Sequence, residues 1–279
     1  MPERSTSSPS VSKTGHDAIL YKFSDLLYQT TGIATEEKKM HLLQTKLDRL
    51  LHRKGVSSYD DYWKLINSSA NRAEFQEFLD TMTTNTTEFF RENDHFEYIQ
   101  NNFDKIRSQN PRIDRNREVV IWSSACSSGQ EPVTIALVML ELLTGGYGVR
   151  ILATDLDTLI LQKAARGLYT MQECDGIPAK YLSKYFSRVG NDYQASERVL
   201  STISYRQFNL MNEFSFRHGF DFIFCRNVMI YFDNQTQEDL INKFYEHLVP
   251  GGLFFMGHSE SMVNKKHRYH HTAPAIWSK

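Results

Sequence analysis

The sequence predicts an α/β fold in which a mixed sheet of about seven strands follows an all-helical domain and carries a small antiparallel β insertion. Three observations predict it. Short apolar runs such as Val119–Trp122, Val149–Thr154 and Phe220–Cys225 end in small or polar residues, as buried strands do. Helical repeats lie between such runs, one opening near Pro132 and another running from Gln235 to Leu248. Ahead of them, residues 19 to 83 carry apolar side chains at helical spacing.

The chain has 279 residues, 41% of them hydrophobic, enough to bury a sizeable core in one or two domains. Its 32 Lys and Arg against 33 Asp and Glu leave a formal net charge of −1, which gives no global attraction to nucleic acid or an anionic membrane. Any electrostatic recognition is therefore local. Three cysteines, Cys126, Cys174 and Cys225, are odd in number and lack metal-type spacing, so they are expected as free buried thiols in a reducing cytoplasm. The polar start Met1–Thr14 has no hydrophobic centre of a secretory signal, and no apolar run reaches the length of a membrane span. A cytoplasmic protein is expected.

Taken in order, residues 1–15 are rich in Ser, Pro, Thr and Lys and are expected as a disordered tail. A helical domain over 16–92 follows. Leu20, Phe23, Leu26 and Leu27 share one helix face, which ends at Thr31-Gly32. A second helix, from about Thr35 to Lys54, is apolar through Met40, Leu42, Leu43, Leu47, Leu50 and Leu51 and basic on its other side through Lys38, Lys39, Lys46, Arg49, Arg53 and Lys54. Such a face is ordinarily just a solvated surface. Two shorter helices are expected around Tyr59–Asn67 and Ala73–Thr83, before the polar cluster T-T-N-T-T-E-F-F-R-E at Thr83–Glu92. Residues 93–118, with the basic, proline-containing stretch Arg107–Arg117, are expected as a linker.

The third region, 119–279, opens on a βαβ unit. Strand Val119–Trp122 leads through the small residues Ser123–Gly129 into a helix, which ends in Gly145, Gly146 and Gly148, and a second strand finishes at Asp155 and Asp157. In such units a ligand sits beyond the carboxyl ends of the strands, and an acid there can hold a ribose hydroxyl pair. The glycine set of a dinucleotide fingerprint is incomplete, however, and many parallel-sheet domains keep a small-residue turn for packing alone. Residues 177–204, with the turn Val189-Gly190-Asn191-Asp192, are expected as a small antiparallel β subdomain inserted on the ligand side. Further strands are expected at Ile203–Phe208, Phe220–Cys225, Leu253–Met256 and near Ala275–Trp277.

Strand ends thus present Asp155, Asn209 and Arg226-Asn227 on one edge, in an order that suits a nucleoside-like ligand. The sequence carries no metal motif and no Ser-His-Asp set with a nucleophile elbow. His258, near a strand end, is either a base or a structural hydrogen-bonding residue.

The run T-T-N-T-T-E-F-F-R-E, together with A-C-S-S-G-Q-E-P, A-T-D-L-D, F-D-F-I-F-C-R-N-V-M-I-Y-F-D and P-G-G-L-F-F-M-G-H-S-E-S, resembles the chemotaxis receptor methyltransferases of the CheR family. The resemblance covers nearly everything from the helical domain to the last strand. It implies a Rossmann-like class I fold that uses S-adenosylmethionine to methylate glutamate side chains on the cytoplasmic helices of chemoreceptors. Residue by residue it implies Asn85, Thr87 and Arg91 at the methionine end of the cofactor, Glu131 in the loop around it and Asp155 on the ribose. Asn209, Leu210, Arg226 and Asn227 would complete the pocket, with Tyr231 at its mouth, so that Arg91 and Tyr231 are the candidates to hold a carboxylate in line with the sulfonium. Gln130 stands where the family commonly has the first of two glutamates. On this reading the basic residues Lys38, Lys46, Arg49 and Arg53 would meet the acidic receptor helices, and a receptor tail peptide would add to the β insertion in some members. Two other readings stay open at this point: a cofactor-binding adaptor without catalysis, and a methyltransferase for a small molecule or nucleic acid.

Overall fold

The computed structural model describes residues 15–68 and 71–279. The tail expected over 1–15 lies outside them except for Gly15, which begins the first helix. The chain divides into two compact units, the first reaching Met82 without Thr31–Ile33, the second made of those three residues and Thr83–Lys279. No helix among the described residues is long and apolar enough to cross a membrane.

The first unit holds α1 (Gly15–Thr31), a 3-10 turn (Glu37–Lys39), α2 (Met40–Lys54), α3 (Tyr59–Ile66) and α4 (Arg72–Met82). Phe23, Leu47, Leu50, Tyr62 and Phe78 are fully buried in its core, with the Phe23 ring 5.1 Å from that of Trp63 and 5.7 Å from that of Phe78. Ser58 caps α3 by accepting from the Asp61 N–H at 3.1 Å. Helix α2 starts later than expected because Glu37–Lys39 close a tighter 3-10 turn, so Lys38 lies outside the helix that carries Lys46, Arg49 and Arg53.

The second unit begins before the βαβ core. Residues 93–118, expected as a linker, instead form α5 (Asp94–Gln109) and α6 (Arg112–Asn116). Phe96, Ile99, Phe103 and Ile106 recur at helical spacing and join the core of the sheet, as does Ile113. Thr83–Glu92, expected to close the helical domain, also belongs here: Phe89 is buried with its ring 4.8 Å from that of Tyr169. A fully buried aspartate fastens the segment further on, where Asp221 accepts from Asn110 Nδ2 at 2.8 Å, Arg112 Nη1 at 2.6 Å and the Val120 N–H at 2.7 Å.

From β1 (Glu118–Ser123) the chain runs through α7 (Gln130–Leu142), β2 (Gly148–Asp155), α8 (Thr158–Arg166), β3 (Leu168–Thr170), α9 (Ala179–Tyr185), β4 (Phe186–Val189), β5 (Asp192–Ala195) and α10 (Glu197–Leu200). It continues with β6 (Ile203–Gln207), β7 (Phe220–Cys225), a 3-10 turn (Met229–Tyr231), α11 (Asn234–His247), β8 (Leu248–Met256), β9 (His270–Ala273) and β10 (Ile276–Ser278). Seven strands make the main sheet in the order β6-β2-β1-β7-β8-β10-β9. Its first five strands are parallel, and β10 and β9 are antiparallel to their neighbours. One face packs with α5 and α7, through Phe96, Ile135 and Phe224 among others, and the other with α11, through Trp122, Phe244 and Phe254.

The insertion is a separate three-stranded sheet, β3-β5-β4. It is wider at its start than the expected 177–204, because Leu168–Thr170 pairs with β5, and it ends sooner, because Ile203 and Ser204 belong to β6 of the main sheet. Cys126, Cys174 and Cys225 are free and buried.

Candidate active site

The site grows from the turn after β1. Ser127 (φ 48°) and Gly129 (φ 94°) take left-handed backbone that brings the turn back onto α7. At Gly129 a Cβ would stand 2.9 Å from the Tyr169 hydroxyl and 3.0 Å from Ala164 Cβ, so the position needs glycine for both conformation and room. The turn points N–H groups at the end of β2. Asp155 Oδ2 accepts from the Ser127 N–H at 2.8 Å and Oδ1 from the Asp157 N–H at 3.1 Å. Burial pushes the Asp155 carboxyl above its usual value, against the pull of those N–H donors. The Leu156 N–H also bonds to this carboxylate, and since a carboxylate offers about four acceptor positions, one remains for a ribose hydroxyl.

Asp157 was expected only as the second member of an acidic pair, and it joins two parts of the site. Its Oδ1 caps α8 through the N–H groups of Leu159 and Ile160, both at 2.9 Å. Its Oδ2 accepts from Asn85 Nδ2 at 2.7 Å and from Thr83 Oγ1 at 3.2 Å, while Ser127 Oγ donates to the Asn85 carbonyl at 3.2 Å. The 83–87 segment is thereby fixed against the ends of β1 and β2. Thr87 is half-buried on it, and Arg91 folds back to donate from Nη1 to the Thr86 carbonyl at 3.0 Å.

Arg226, at the end of β7, has a side chain only 2% exposed and gathers two carboxylates. Its Nη2 and Nε donate to Glu92 Oε2 at 3.1 and 3.3 Å, its Nη1 to Glu131 Oε2 at 3.3 Å, and Nη2 also reaches the Arg91 carbonyl. Glu131 accepts from Ser123 Oγ at 2.6 Å. Burial raises the Glu131 carboxyl despite the Arg226 charge. Burial acts the same way on Glu92, but there the hydrogen bond from Asn227 and the Arg226 charge outweigh it and hold the carboxyl below its ordinary value.

Asn227 has φ 57°, left-handed for a non-glycine residue, and donates from Nδ2 to Glu92 Oε1 at 3.1 Å. Glu260, to which the sequence reading gave no role, holds that conformation. Its largely buried carboxylate accepts the N–H groups of Gly257 (2.6 Å), Asn227 (3.1 Å), Val228 (3.0 Å) and Met229 (2.8 Å), tying the end of β8 to the turn that presents half-buried Tyr231. Burial raises its pKa, while the four donors favour the ionised form. Glu260→Ala is expected to slow turnover by about ten- to a hundredfold through misplacement of Asn227 and Tyr231, with the far-ultraviolet circular dichroism unchanged. An unaltered initial rate would remove Glu260 from the machinery.

Of the remaining expected residues, Asn209 follows β6, accepts the Met211 N–H on Oδ1 at 2.9 Å and precedes buried Leu210. His258 is half-exposed, with Nε2 2.9 Å from Asp94 Oδ2. Beside it His95 is fully buried, and burial, with the Arg226 charge, lowers its pKa to about 4. In the helical unit, Lys46 is half-buried and donates to the Met82 carbonyl at 2.9 Å, and Arg53 pairs with Glu77 at 3.0 Å. Lys38 and Arg49 are exposed. Glu92, Asp157 and Glu260 are the residues that sequence reasoning left without roles, although all three stand inside the motif runs quoted above.

A largely parallel sheet with a small-residue turn after its first strand, a spare-capacity acid at the end of its second and a buried charge cluster beside them suits S-adenosylmethionine, and defines a methyltransferase that uses it. The chain belongs to the CheR family. Residues 85–276 match the family described as CheR methyltransferase, SAM binding domain, and residues 19–83 match CheR methyltransferase, all-alpha domain. It is 35% identical over 266 residues to a chemotaxis protein methyltransferase of Borreliella burgdorferi, covering 93% of each chain. Relatives of the same description from Salmonella typhimurium (35% over 254 residues, 89% of this chain and 85% of that one) and Escherichia coli (34% over 259 residues, 91% and 87%) are similar along most of their length. The chain is an S-adenosylmethionine-dependent methyltransferase of chemotaxis.

Proposed function

We propose that the enzyme esterifies glutamate side chains on the cytoplasmic helices of chemoreceptors. The observation that carries this reading is near full-length similarity to chemotaxis protein methyltransferases, with the charge cluster around Arg226 intact. When bound, S-adenosylmethionine supplies a methyl group already activated by the sulfonium charge. A glutamate carboxylate is ionised near neutral pH, so the chain has no proton to remove and its residues need only bind, align and exclude water. Asp155 holds a ribose hydroxyl, and Asn209 and Leu210 line the base. Asn85, Thr87, Arg91 and Glu131 take the methionine end. Arg226 orders Glu92 and Glu131, and Asn227 is set by Glu92 and Glu260. Arg91, which spends Nη1 on the Thr86 carbonyl, and Tyr231 hold a carboxylate by hydrogen bonds. Labelled cofactor incubated with receptor cytoplasmic fragments tests this: base-labile label on mapped glutamates is expected, and label on other residue types, or none on any receptor, overturns it.

The basic face of α2, together with Lys38 on the 3-10 turn before it, is proposed to meet acidic receptor helices, with Arg49 and Lys38 exposed and Lys46 and Arg53 partly engaged within the helical unit. Arg49, which has no hydrogen bond or ion pair among the described residues, gives the cleanest variant. Arg49→Glu should raise the KM for receptor severalfold with cofactor affinity unchanged. Equal methylation rates at every receptor concentration would leave α2 a solvated face.

A receptor tail peptide is proposed to add as a strand to the β insertion. In the order β3-β5-β4 the outer strands β3 and β4 are edges, and Ser187–Val189 of β4 are exposed. Calorimetry with tail pentapeptides should give micromolar-class binding. No heat from any of them, with intact receptors still methylated, would leave the insertion without this role.

A further inference from the structure

Behind the charge cluster lies a second set of donors. Glu92, His95 at the start of α5 and His258 after β8 each bring one ligand atom to within 4.8 Å of the others. His95 is fully buried, yet neither of its ring nitrogens has a hydrogen-bond partner, a condition rare for a buried imidazole. Its Nδ1 lies 3.9 Å from Glu92 Oε2, and its ring stands 5.1 Å from that of His258 at 83°. The far nitrogen of His258, Nε2, is 2.9 Å from Asp94 Oδ2. A neutral imidazole that donates Nε2–H to a carboxylate carries its lone pair on Nδ1, and metal-binding histidines are oriented in this way.

We propose that Glu92, His95 and His258 form a site for a divalent transition cation of the zinc class, with Asp94 orienting His258. Two imidazoles and one carboxylate suit zinc, whereas magnesium and calcium take oxygen ligands. Donors on one tetrahedral zinc ion stand about 3.4 Å apart, about 1.6 times the zinc–nitrogen distance of about 2.1 Å. Separations of up to 4.8 Å must therefore close by up to about 1.4 Å, a movement available to His258, whose side chain is 46% exposed. The same exposure gives the ion its entry. The ion acts as an inhibitor rather than a cofactor, because the Glu92 oxygens it draws on are those that hold Asn227 and Arg226. Binding of the ion does not depend on which side chain the enzyme methylates.

Calorimetric titration of zinc into the full chain, freed of metal by chelation, tests the site. One zinc per chain is expected at micromolar affinity or tighter, with magnesium silent and S-adenosylmethionine bound severalfold more weakly once zinc is present. His258→Ala and Asp94→Asn change exposed side chains and avoid the buried His95, and each should weaken zinc about tenfold or more. The pair His270→Ala and His271→Ala, on β9, should leave zinc affinity unchanged. Absence of zinc uptake, or equal zinc affinity in the parent, His258→Ala and Asp94→Asn, overturns the proposal.

Discussion

Asp155→Ala is expected to bind S-adenosylmethionine about 1.5 to 3 kcal/mol more weakly than the parent, roughly 10- to 150-fold in Kd, by calorimetry. Two effects add. The variant loses the acceptor for a ribose hydroxyl, and it releases the Ser127, Leu156 and Asp157 N–H groups that the carboxylate now holds at the ends of β1 and β2. Asp155→Asn separates them, since its remaining oxygen can keep part of the backbone contacts while its amide nitrogen can accept none. An intermediate loss is expected. Unchanged affinity in folded Asp155→Ala would take this residue out of the cofactor site.

Arg226→Met should lower stability by about 3 to 5 kcal/mol, because it leaves Glu92 and Glu131 buried without their cation. The three side chains are 2%, 14% and 13% exposed, so little solvent is at hand to take over. For a domain of this size the Tm should fall by about 10 °C. Adding Glu131→Gln removes one of the stranded charges and should restore part of the loss. A Tm within about 2 °C of the parent's would mean that the cluster is solvated in solution and that Arg226 has little structural role.

Periodicity and strand ends made the βαβ core and Asp155 legible, since both follow from a local pattern of apolar runs and the acid that closes one of them. The partners of the charge cluster follow from no local pattern. Glu92 meets Arg226 across 134 positions of sequence, and Glu260 reaches Asn227 across 33. Asp157 is hidden for another reason: an acid before a helix reads as an ordinary cap, and only the second carboxylate oxygen, turned to Asn85, shows its further use. The stripe Phe96, Ile99, Phe103, Ile106 was readable but was masked by the basic, proline-containing stretch that follows it. Strand β9 is polar and half-exposed or exposed throughout, so nothing in its own residues marks it; its pairing with β10 does.

The knot at Asp221 changes where the gene can be cut. A fragment starting at Val119, the border that the sequence suggests, would discard Asn110 and Arg112 and leave a fully buried carboxylate with only the Val120 N–H for company. It would also expose the apolar seat of α5 on the sheet. A fragment starting near Thr83 keeps both, along with Asn85 and Arg91. Any recombination that joins this methyl-transferring unit to another N-terminal domain therefore has its natural junction just after α4, and swaps made some 35 residues later should yield insoluble chains.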